Sequence, residues 1–159
     1  KEQRHPWSII KSQELDCPLL RIWDSKCGSR PEADGRMPEA SVTSRSPNQP
    51  LHTDQVRRSC FTTHLDHRIW ASTPYISFKN PPKAIEELTI QRSGRPKRGA
   101  QYLTAIDPAT RLMNGLPMLN VTAEMKHYSI QDPYQRRNEY DLHSYICLWE
   151  VGKEEVVGH

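Results

Sequence analysis

Three polar residues mark short segments that read as strands, in the order arginine, serine, carboxylate. Arg21 lies in PLLRIWDS, Ser77 in STPYISF and Glu139 in RRNEYDLHSYI. Each residue type brings its own chemistry. A guanidinium stays charged and presents a rigid fork of donors that suits phosphate or carboxylate. A serine hydroxyl both donates and accepts at short range. A fixed carboxylate can stabilise positive charge as it develops on a reacting group. No other part of the chain shows a comparable convergence.

Two further clusters carry chemistry by residue type. In THLDHR, His64 and His67 fall at i and i+3 of a helix, with Asp66 between them. With no third ligand nearby in sequence, a metal site is not the expectation, and these histidines read as lining a helix–sheet contact or a cleft. In RSGRPKRG, Arg95, Lys97 and Arg98 flank a Gly-Arg-Pro core that resembles an AT-hook. Its position between a helix and a strand reads instead as a solvated basic turn. Nucleic acid is therefore not the expected partner, and a net charge of +3 gives no reason to invoke one.

Positioning these residues requires a small core. At 159 residues, with a mean hydropathy of −0.80 and 13 prolines, the chain suits one domain whose core carries long irregular segments. No run approaches the roughly 18 apolar residues of a spanning helix, so a membrane is not expected. The chain opens on Lys1, which reads as a piece of a longer protein or a processed product, with any leader outside it. Cys17, Cys27, Cys60 and Cys147 lack the paired spacings of a zinc site. They form either two disulfides, one of them tying the N-terminal arm to a later element, or small buried hydrophobes. Asn120-Val121-Thr122 matches a glycosylation acceptor by pattern.

The elements emerge from periodicity and punctuation. Leu19 to Trp23 reads as a strand, and residues 28–55 as a loop-rich stretch, either a lid or disordered. Thr53 to Ile69 reads as a helix with Val56, Cys60, Leu65 and Ile69 near one face. Pro74 to Phe78 is the next strand, and Asn80-Pro81-Pro82 opens a helix that buries Ala84, Ile85 and Leu88. Gln101 to Ile106 alternates as a strand leading into a turn at Asp107-Pro108. Tyr140–Trp149 and Glu154–Val157 read as final strands about a turn at Gly152. This order predicts an α+β fold, with residues 1–17 as an arm and 18–159 as the domain.

The ordered set LRIWDS, STPYISFKNPPKAIEEL and EYDLHSYI resembles the enterotoxin-like ADP-ribosyltransferases, and more closely an uncharacterised fungal domain family of that type. The resemblance implies split antiparallel β-sheets with flanking helices, holding NAD as substrate in the cleft between the halves. It implies that Arg21 contacts the cofactor's phosphate or ribose, with Ile22 and Tyr75 beside it. Ser77 would orient the catalytic carboxylate, Glu139, with Asp141 as the alternative one pair along. It further implies NAD as a partner, together with a protein that accepts ADP-ribose, or hydrolysis of NAD without one, and no metal. A toxin or secreted effector would fit such an activity, although the residues leave the compartment open. Two positions depart from the pattern. Phe78-Lys79 replaces the family's second serine, and Arg137 stands two residues before Glu139, where arginine-modifying members carry Glu or Gln.

Overall fold

A computed structural model describes residues 15, 17–24, 26, 27, 29, 41–80, 86, 89, 90, 93, 94, 99–135 and 143–158. The class is α+β, as expected. The strands are β1 (Leu19–Trp23), β2 (Val42–Thr43), β3 (Tyr75–Lys79), β4 (Tyr102–Ile106), β5 (Met118–Asn120), β6 (Ser144–Leu148), β7 (Glu150–Val151) and β8 (Val156–Gly158). The helices are α1 (Asp54–Leu65), α2 (Pro108–Met113) and α3 (Val121–His127), with a 3₁₀ turn at Lys153–Glu155. After Pro82, the described residues Glu86, Thr89, Ile90 and Ser93 are helical; Ala84, Ile85 and Leu88 lie outside the described residues.

Six strands form one antiparallel sheet in the order β5-β6-β3-β1-β4-β8, and β2 pairs with β7 in a second, two-stranded ladder. The large sheet is uneven in how it is joined. β3 and β6 share five paired positions from Tyr75↔Leu148 to Lys79↔Ser144, and β1 and β4 share five from Leu19↔Ile106 to Trp23↔Tyr102. Between these halves, β1 and β3 meet at the single pair Leu20↔Lys79. Within the described residues, the sheet is thus two ladders hinged at one point.

Alternation along β3 and β6 sends side chains to two cores. Tyr75, Ile146 and Leu148 join Leu51, Phe61, Leu119, Val121, Met125, Tyr128 and Trp149 beneath α1 and α3. Ile76, Phe78, Tyr145 and Cys147 join Leu19, Val42, Ile106, Met118 and Val151 on the opposite face. All five residues of β6 are buried because both of its faces are covered. Within the loop-rich stretch, Val42 and Leu51 are core residues, and Gln49 O accepts from Trp149 Nε1 at 2.7 Å.

Helix α1 differs from the expected stripe. It ends at Leu65, leaving Ile69 beyond it at 49% exposure, and Val56 is also exposed. The buried positions are Arg57 and Phe61, with Cys60 and Leu65 partly covered. Arg57 takes a core position because its donors are satisfied by Leu51 O (3.1 Å), Tyr128 Oη (3.2 Å) and Asp54. A buried charge is tolerated only with such partners. At the other end, Thr53 caps the helix by accepting from Val56 N.

Asp107-Pro108 starts a helix and is not a free turn. Asp107 accepts from Ala109 N at 2.9 Å and from Thr110 Oγ1 at 2.7 Å, and proline occupies the first turn of α2. Asn120 likewise caps α3 through Ala123 N. Arg111 of α2 is fully buried against Glu155 (2.8 Å) and donates to Pro117 O and Glu150 O. It therefore clasps the chain's last turn to the sheet. Glu155 also accepts from Gly152 N at 2.7 Å, so both carboxylate oxygens are engaged. All four cysteines are free thiols, and the disulfide alternative is not realised.

Trp149 turns the chain from β6 into β7 with φ 56°, a left-handed conformation costing roughly 1–2 kcal/mol for a non-glycine residue. Its backbone N–H donates to Pro74 O at 2.6 Å and its carbonyl accepts from Ser44 N at 2.7 Å. These bonds, with the indole bond to Gln49, offset the strain. No helix among the described residues is long and apolar enough to cross a membrane.

Candidate functional site

The site forms where β1 and β3 part. Just past the Leu20↔Lys79 pair, the Arg21 guanidinium donates from Nη1 to Ser77 O at 2.9 Å. Its Nε and Nη2 both donate to Ser29 O, at 3.2 and 2.7 Å. The loop after β1 is bent to permit this. Asp24, fully buried, accepts from Lys26 N through Oδ1 and from Cys27 N through its carbonyl. That turn returns Ser29 towards the arginine.

Ser77 engages both ways. Its carbonyl takes Arg21, and its hydroxyl lies 2.7 Å from His64 Nε2. The other ring nitrogen of His64, Nδ1, lies 2.8 Å from the Thr73 hydroxyl. A chain of three polar side chains, Thr73–His64–Ser77, therefore joins the segment before β3, the end of α1 and β3 itself, while Arg21 of β1 bonds the Ser77 backbone carbonyl. Arg21, His64 and Ser77 are each partly buried, whereas Thr73 is buried.

His64 owes its place to helix spacing. Arg57, Phe61 and His64 succeed one another at i, i+4 and i+7, so all three face β3. There the imidazole meets the Tyr75 ring edge-on at 5.4 Å. Burial, reinforced by the positive charges of His67 and Arg21, pushes its pKa down to about 3. His64 is thus neutral at ordinary pH. One ring nitrogen carries a proton and the other accepts, so the Thr73 and Ser77 hydroxyls have opposite polarities towards it.

The expected site residues separate into three groups. Arg21 and Ser77 are brought together. Ile22 and Tyr75 are near them in sequence but buried at 5% and 2% exposure. The Tyr75 ring packs on Phe61 and His64, its hydroxyl donates to Arg57 O, and burial raises its pKa well above the tyrosine range. It backs the site from within the core. Glu139, Asp141, Arg95, Lys97 and Arg98 lie outside the described residues. On β6 the residue paired with Ser77 is Ile146, so this strand offers no carboxylate opposite the hydroxyl.

His64 is the group that sequence reasoning did not attach to Ser77. Its spacing from Phe61 carried the signal, since it shares that residue's buried face. Beside it, His67 stacks on Tyr134 (6.0 Å between centroids), and Arg68 covers the same ring while pairing with Asp66. The two histidines therefore point to different partners.

Compared with models of known protein families, with curated proteins and with solved structures, the chain finds no match.

Proposed function

We propose that this chain is an NAD-using domain of ADP-ribosyltransferase type, which breaks the nicotinamide–ribose bond. The supporting observation is the parting of β1 and β3 with Arg21 bound to Ser77 across it. A permanent cation then stands where the two ladders part, which suits a diphosphate-bearing ligand. In this reading nicotinamide leaves with the bonding electron pair, and positive charge develops on the ribose. Glu139, or Asp141, stabilises that charge, and a protein side chain or water attacks the ribose carbon.

A second reading, a non-catalytic binding module on the same fold, is favoured by Ile146 standing opposite Ser77. Release of nicotinamide from NAD separates the two. The enzyme reading expects turnover in the wild type that is lost in Glu139→Ala while NAD binding persists; loss in Asp141→Ala alone would move the role to that residue. Binding without turnover supports the module. Neither binding nor turnover overturns the NAD reading altogether.

A further inference from the structure

We infer that the stacked pair Trp23–Tyr102 is a platform for the planar base of a phosphate-bearing nucleotide, with Arg21 on the same sheet face as the cation for its phosphate. The inference rests on reading this opening as a nucleotide site, and adds where the base is seated.

The register between β1 and β4 sets Arg21 opposite Thr104 and Trp23 opposite Tyr102. Because strand side chains alternate, all four share one face. The two rings stack at 4.6 Å between centroids with 19° between their planes. Cross-strand packing accounts for the stack itself, but three further features suit a ligand. The indole N–H donates at 2.8 Å to the hydroxyl of Thr104, a fully buried residue, so the platform is oriented before anything binds. Tyr102 remains 51% exposed, leaving ring surface on which a base can stack. Arg21 stands two residues along the same strand, its backbone about 7 Å from that of Trp23, which puts a cation on the face that carries the rings. A preoriented aromatic surface loses little freedom on binding. The guanidinium, fixed by Ser29 O and Ser77 O, supplies the charge complement.

The test compares AMP with ribose 5-phosphate, which carries the same phosphate and sugar without the base, by calorimetric titration of the full chain. AMP should bind more tightly. Tyr102→Ala should weaken AMP about tenfold, as expected for one base–aromatic stack, and leave ribose 5-phosphate unchanged; Tyr102→Phe should retain the preference. AMP should also quench tryptophan fluorescence in the wild type and not in a folded Trp23→Leu variant. Equal affinity for the two probes, binding of neither, or an AMP preference that survives Tyr102→Ala overturns the inference. A single-stranded oligo(dA) that binds more tightly than AMP, with affinity falling steeply with salt, overturns the mononucleotide assignment in favour of nucleic acid. Failure of NAD turnover with the Tyr102-dependent AMP preference intact counts against the catalytic reading alone. NAD turnover without that preference counts against the platform alone.

Discussion

Arg21 Nη1 donates to the carbonyl oxygen of Ser77 at 2.9 Å, bridging β1 to β3 beyond the one backbone pair that joins these strands. A side chain thus takes over where the ladder stops. The same guanidinium holds Ser29 O, so one residue ties together the first strand, the loop after it and the far half of the sheet. Any ligand drawn to this cation meets a group whose geometry is already set.

Replacing that fork should be costly even with charge retained. A lysine offers one compact ammonium and cannot serve Ser29 O and Ser77 O in the same fixed geometry. Arg21→Lys should lose roughly 1–3 kcal/mol of stability in urea unfolding and weaken NAD binding by about tenfold or more. Unchanged stability would show that the opening between the ladders is held by other contacts.

Acid should loosen the fold through His64. Folded, its pKa lies at about 3, while the ordinary value is 6.5. Between these two values the unfolded chain binds the extra proton, so stability rises with pH across this window. The contribution is fully present above about pH 6.5 and is lost as pH falls towards 3, with a size on the order of a few kcal/mol. Asp66, held at about 2 by its bond to Arg68, acts only below the ordinary carboxylate value of 3.8. Denaturation midpoints at pH 7, 5 and 4 should therefore show a slope that His64→Gln largely removes. A His64→Gln profile parallel to the wild type would refute the neutral imidazole.

The Arg111–Glu155 pair offers a test of the scaffold apart from the site. Both side chains have no exposed surface. Arg111→Ala strands a buried carboxylate and should cost about 3–5 kcal/mol, whereas Arg111→Met combined with Glu155→Leu should recover much of the loss. Equilibrium unfolding of the single and double variants measures both. If the double variant is no better than the single, the carbonyl contacts of Arg111 to Pro117 and Glu150 dominate over the ion pair.

Much of the strand framework was legible in local sequence. The runs at Leu19–Trp23, Tyr75–Lys79 and Tyr102–Ile106 are short, rich in aromatic or branched residues, and bounded by polar or proline-containing segments, which is enough to mark strands. Helix α1 was legible in position but not in its buried face. Counting apolar residues selected Val56 and Ile69 and passed over Arg57, because hydrophobic periodicity assigns an arginine to solvent. Only the meeting of Leu51 O, Tyr128 and Asp54 makes that position tolerable for a charge. The turn expected at Asp107-Pro108 belongs to the same lesson. Those two residues suit a turn and a helix start equally, and the helical run Ala109 to Met113 decides between them.

By itself the sequence determined which groups carry chemistry and which short segments become strands, since both depend on residue type and near neighbours. It marked Arg21 and Ser77 as polar residues misplaced on apolar strands. The tertiary structure decided that they touch through a backbone carbonyl, that His64 bonds the Ser77 hydroxyl, and that Trp23 and Tyr102 stack on the face that carries Arg21. Those contacts join residues 13, 56 and 79 positions apart, read directly from 64 to 77, 21 to 77 and 23 to 102. Strand register fixes such distances, and register is a property of paired strands that no single segment contains.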